Sequence, residues 1–138
     1  MTATPAGARV RPVIRNIHIT DLVRYKLPVP GMVSIMHRVS GALMFLLLPL
    51  VLWLFDLSLT SEGTYERLHR FASNWFARLV LLALGWALLH HLCAGVRHVL
   101  MDLELGVHLR AARRNAWLVF AASLPLTLLL ALALFGAI

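Results

Sequence analysis

His91, Gly95, His98 and Asp102 stand at intervals of four, seven and eleven residues within a run that is otherwise almost wholly apolar. At roughly 100° per residue they share one face of a helix, and His90 points about 100° away from it. Arg97 lies well off that stripe, near one end of the run. His91 is the deepest of the group, six residues before Arg97, or about 9 Å at 1.5 Å per residue. A polar group at that depth in hydrocarbon is costly and usually faces protein, a water-filled cavity or a cofactor. Gly95, one turn on, removes a side chain so that a flat ring could lie against the backbone. A neutral imidazole is a good ligand for haem iron, and His98, nearer the interface, could meet a haem propionate. Spacing alone leaves haem ligation, hydrogen bonding to a neighbouring helix and a proton relay all open.

Cysteine chemistry narrows the field. Cys93 is the single cysteine, which excludes an internal disulfide, a multi-cysteine zinc site and the Cys-x-x-Cys-His attachment of covalent haem. Ordinary packing is its expected role. The chain offers one deep histidine on a favourable face. A six-coordinate haem would therefore need a second histidine from another polypeptide. Two strong axial ligands leave no open position, which favours electron transfer over oxygen chemistry.

A second polar group occurs in PGMVSIMHRVSGAL, Pro30 to Leu43. Ser34, His37, Arg38 and Gly41 fall at i, i+3, i+4 and i+7, on one side of a helix. One reading is that His37 and Arg38 snorkel to the headgroups. The other is a polar pocket at the inner membrane face, where a hydroxyl and a guanidinium bind the head of a lipophilic ligand. A quinone fits, because its carbonyl oxygens accept hydrogen bonds while its tail stays in lipid.

These residues need elements to position them. The 138-residue chain is 60% hydrophobic and 14% charged, whereas soluble domains are about 45–50% apolar and 25% charged. The expected fold is all-α, with three transmembrane helices over about 32–57, 75–102 and 117–138. A basic, proline-containing arm precedes them over 1–30, so the membrane domain covers 31–138. Pro28, Pro30 and Gly31 lead into the first span, with proline tolerated in its first turn. Pro49 introduces a potential kink there. Between the first two spans, Glu62, Tyr65, Leu68 and His69 predict a short surface helix, and Ser73 or Asn74 a cap for the second span. Trp117 is a plausible interface anchor for the third. The arm shows no secretory-type apolar segment, so the first span is expected to direct insertion.

Net charge is +7. The arginines form no stripe interleaved with aromatics, which argues against nucleic acid. Topology accounts for them. Arg9, Arg11, Arg15, Arg24, Lys26 and Arg38 flank the first span, and Arg97, Arg110, Arg113 and Arg114 lie at the junction of the second and third. The opposite connection holds Arg67, Arg70 and Arg78, offset by Asp56, Glu62 and Glu66. The positive-inside rule places the N-terminus inside and the C-terminus outside.

SIMHRVSG (Ser34 to Gly41), followed some fifty residues later by HLCAGVRHVLMD (His91 to Asp102), resembles the cytochrome b subunit of succinate dehydrogenase. The basic segment RPVIRNIHI (Arg11 to Ile19) is similar in a looser way. Because the arm lacks the family's common Ser-Pro-His run, no role is carried over to Asn16 or His18. The resemblance covers nearly the whole chain. It implies one half of a heterodimeric membrane-anchor bundle in a bacterial inner membrane, N-terminus cytoplasmic and C-terminus periplasmic. It further implies that His91 is an axial ligand of haem b, that His98, Arg97 and His37 lie near the haem propionates or edge, and that Ser34 and Arg38 serve the ubiquinone site. A second small anchor subunit would supply the other axial histidine. Electrons would come from succinate through a flavoprotein and an iron–sulfur subunit, for which this chain has neither a multi-cysteine run nor a dinucleotide fingerprint. Two rivals stand beside this reading: a fumarate reductase anchor running the chemistry in reverse, and a non-redox membrane scaffold whose histidines only join helices.

Overall fold

A computed structural model describes residues 27–136, so most of the basic arm and the last two residues lie outside it. Among the described residues there are four helices and no strand: α1 Val29–Thr60, α2 Glu62–Ala72, α3 Trp75–Asp102 and α4 Leu109–Leu134. The three long helices are each apolar and long enough to cross a bilayer. At 1.5 Å per residue, the 32 residues of α1 reach about 48 Å, well beyond a hydrocarbon core of about 30 Å. The ends of the long helices therefore project into the headgroup zones.

Local chemistry sets the ends of these elements. Pro30 sits in the first turn of α1, where a missing N–H costs nothing. Ser61 starts α2 with a reciprocal capping box: its Oγ accepts from the Thr64 N–H at 3.2 Å, and its own N–H donates to Thr64 Oγ1 at 3.1 Å. Asn74 caps α3 by accepting from the Phe76 N–H at 2.9 Å. After α3 the chain turns through left-handed Glu104 and Gly106, with φ of 60° and 74°. A Cβ at Gly106 would collide with the side chain of Asn115, so the turn is pressed against α4. Pro49 and Pro125 lie inside unbroken helices.

α4 begins eight residues before the expected third span, at Leu109 rather than Trp117. The segment between carries Arg110, Arg113 and Arg114, all exposed. Arginine and alanine are strong helix formers. The loss of hydropathy there marks the membrane boundary and not the end of the helix.

α3 is the central element and packs chiefly against α4, then α1. Its internal face is the heptad-like series Ala87, His90, Ala94 and Arg97, met by Ala116, Val119 and Ser123 of α4 and by Val33 and Ser40 of α1. The centre is thus built of small side chains that let backbones approach, as expected where lipid supplies no hydrophobic drive for helix association. The large side chains face outward, Phe45, Leu46, Leu52, Leu88 and Leu128 among them.

Candidate haem and quinone site

The α1–α3 contact brings three histidines together. The His37 ring stacks on His91 with centroids 4.1 Å apart and planes 15° from parallel. It also meets His98 at 4.9 Å with a 43° tilt. Sequence periodicity placed His91 and His98 on one face of α3; the crossing of α1 adds His37.

His91 is fixed through Nδ1. That atom lies 3.0 Å from the His37 carbonyl oxygen and 3.2 Å from Ser40 Oγ, while Ser40 Oγ–H donates to the same carbonyl at 3.0 Å. A carbonyl oxygen only accepts, so Nδ1 carries the proton and donates. The remaining nitrogen, Nε2, is then the lone-pair atom. A metal-binding histidine is commonly oriented in this way, by a backbone carbonyl on its other nitrogen.

One glycine makes room for these rings, and a second lies beside them. A Cβ at Gly41 would stand 2.8 Å from His91 Cε1 and 3.3 Å from Nδ1, closer than packed atoms sit. Gly41 is therefore what admits the His91 ring against α1. At Gly95 the nearest ring belongs to His37, with Nε2 3.5 Å from where a Cβ would be, an ordinary contact. The clearance expected there for a bulky ligand is used by an imidazole from the neighbouring helix. Beside it, His91, Leu92, Gly95, Val96, Val99 and Leu100 line a half-open apolar groove of about 290 Å³ on the outward side of α3.

The other expected site residues are distributed differently. Ser34 is half-buried and Arg38 exposed, both on α1 within a turn of His37. Arg97 does not join the histidine cluster: it is 5% exposed, on the internal face of α3 with His90 and Ala94, and its Nε has no hydrogen-bond partner. His90 has no exposed surface. It lies against Trp86 and Phe120, at centroid distances of 5.5 and 5.6 Å. Its ring faces the backbone of Val33 without closing a hydrogen bond, and both of its nitrogens lack partners. Cys93 is half-buried against the core, in the packing role expected of it.

Sequence reasoning did not single out Ser40, and it placed Gly41 only on the α1 face of Ser34, His37 and Arg38, although both stand in the SIMHRVSG motif. Their signal was Ser40 three residues after His37 and Gly41 four after it, which puts both on the turn that faces α3. No cluster of three or more metal-ligating side chains forms among the described residues.

Residues 15–130 match the family described as succinate dehydrogenase/fumarate reductase transmembrane subunit. The chain belongs to this family. Among its relatives are proteins named succinate dehydrogenase cytochrome b556 subunit. That of Coxiella burnetii is 34% identical over 75% of this chain and 83% of its own length. That of Rickettsia felis is 31% identical over 77% and 82%, and that of Paracoccus denitrificans 30% over 76% and 81%. The resemblance seen in the two motifs thus extends through the membrane domain. The protein is an all-α, multi-pass membrane subunit of the succinate dehydrogenase cytochrome b type.

Proposed function

We propose that this chain supplies half of a haem b site and part of a quinone site in a succinate:quinone oxidoreductase. The observation that carries the proposal is the fixed His91: Nδ1 held by the His37 carbonyl and Ser40, Nε2 left as a ligand atom, and an outward apolar groove alongside. His91 would hold the haem iron through Nε2. His37 is stacked on His91 and His90 points into the bundle, so a second histidine would come from a second small anchor subunit. His98 and His37 would line the edge of the haem, whereas Arg97, buried on the internal face of α3, stands apart from it. A haem held between two histidines supplies one-electron transfer.

Ser34 and Arg38 bind the quinone head. The Ser34 hydroxyl donates a hydrogen bond to one carbonyl oxygen. Arg38 offers N–H donors and a fixed positive charge where negative charge develops on reduction. Both lie on the α1 end that carries the basic residues, which by charge bias is the cytoplasmic face. The iron–sulfur subunit docks there and passes on electrons taken from succinate by the flavoprotein subunit, and protons for the quinol come from inside water. The matched family includes fumarate reductases, but the names of the relatives favour succinate oxidation.

Absorption spectra of the detergent-solubilised complex, oxidised and dithionite-reduced, test the proposal. A low-spin b-type spectrum with co-purifying anchor, iron–sulfur and flavoprotein subunits is expected. A colourless preparation supports the scaffold reading instead. Arg38→Leu separates the quinone site from the rest: quinone reduction should fall at least tenfold while succinate oxidation by a soluble dye persists. Equal loss of both activities removes Arg38 from the quinone site.

A further inference from the structure

Helix α2 plays no part in the proposed redox role, yet its eleven residues are sharply sorted. Taken at 100° per residue, Thr64, Leu68 and Ala72 fall within an arc of about 80°. These three are half-buried, and α2 packs on both α1 and α3. Tyr65 and Phe71 stand on the two edges of that arc, about 60° to either side of its centre, and remain 56% and 71% exposed. Glu62, Glu66, Arg67, His69 and Arg70 fill the opposite face and are exposed.

An eleven-residue helix is marginal in water by itself, so its stability rests on covering that apolar side. The protein covers the middle strip and leaves both aromatic edges bare. Those edges continue into surfaces already turned toward lipid. Trp75 and Phe76 open α3 at 68% and 69% exposure, and Trp53 and Phe55 near the adjoining end of α1 are 57% and 60% exposed. Aromatic rings collected at one end of a span mark the lipid–water boundary. With His69 counted neutral at pH 7, two carboxylates and two guanidiniums leave the outer face of α2 without net charge, so no fixed charge in it selects anionic lipid.

We infer that α2 lies in the lipid–water interface, with Tyr65 and Phe71 inserted among the upper acyl chains and the charged face turned to water. Its partner is a lipid surface, held through apolar burial and not through headgroup charge. The inference is independent of the haem and quinone assignments.

The test uses the whole complex, reconstituted in phosphatidylcholine vesicles. Nitroxides are placed at Tyr65→Cys, Phe71→Cys, Glu66→Cys and Arg67→Cys in a Cys93→Ala background, and their collision rates with oxygen and a soluble nickel chelate are compared. Oxygen should dominate at 65 and 71 and the chelate at 66 and 67, with the contrast unchanged when phosphatidylglycerol is added. Chelate dominance at all four positions overturns the inference, because α2 then stands in water. Shielding of 65 and 71 from both relaxants also overturns it, because protein then covers them. A contrast that grows with anionic lipid overturns the charge-independent part. A second measurement leaves Cys93 in place: the added emission of Tyr65→Trp should be quenched by lipids brominated high on the acyl chain. No added quenching counts against insertion even if the cysteine-free protein fails to assemble.

Discussion

His90 and His91 are neighbours in sequence and opposites in setting. His90 is fully enclosed between Trp86 and Phe120, with two nitrogens that no group satisfies. His91 is only half-buried, and one of its nitrogens is engaged by two partners from α1, which leaves the other as the lone-pair atom of a side chain that lines an outward groove. The deeper histidine by burial is thus the poorer candidate ligand. A ligand needs a defined tautomer and a direction of approach, and enclosure gives neither. A rotation of about 100° along α3 separates a side chain built into the bundle from one at its outward edge.

Four substitutions can break or sharpen that contrast. His91→Ala should abolish the low-spin haem spectrum of the complex, whereas His90→Phe should preserve it; the reverse pattern would falsify the assignment of His91. Next in size is Gly41→Ala. Overpacking costs about 1–3 kcal/mol, so a methyl group in contact with His91 Cε1 should weaken haem retention by roughly ten- to a hundredfold, read as haem per complex after gel filtration. An unchanged haem content means that the ring does not depend on this clearance. Ser40→Ala removes one of two partners of Nδ1 and leaves the His37 carbonyl. Loss of such outer contacts costs about 10–100-fold in metal affinity, and the lower end is expected here, with a shifted midpoint potential in a redox titration. A potential and an occupancy both equal to the parent's exclude Ser40 from orienting His91. The smallest effect is on stability. A buried group without partners costs about 1–3 kcal/mol, so His90→Phe should leave the melting temperature of the complex unchanged or raise it. A marked drop means that the imidazole has a polar partner in the assembled protein.

Much of this contrast is legible in the sequence because a single helix period governs it. The angular separation of His90 from His91, the pairing of His91 with His98 and the short helix after the first span all follow from local spacing. What crosses between helices does not. Nothing in the spacing of α3 says that the ring over Gly95 is His37, or that Gly41 is the glycine His91 requires, because those facts depend on where α1 crosses α3. The burial of Arg97 escaped for a related reason. Its distance from the His91 stripe was clear, but the internal face of α3 is defined by small residues that hydropathy does not distinguish from lipid-facing ones. The early start of α4 was hidden by its arginines, which interrupt an apolar pattern without interrupting a helix.

The His37 carbonyl receives Ser40 Oγ–H and His91 Nδ1–H in addition to the N–H four residues on that an α-helix directs to it. That oxygen lies one turn from Ser34 and next to Arg38 in the chain. Under the proposed assignment, the haem ligand on α3 is then anchored to the same turn of α1 that carries the quinone contacts. A quinone-site inhibitor that displaces this turn should change the colour of the haem, so that the pigment serves as an optical strain gauge for a pocket that absorbs no visible light of its own. Titrating such an inhibitor against the Soret band, with Ser40→Ala as the slackened control, reads the gauge directly.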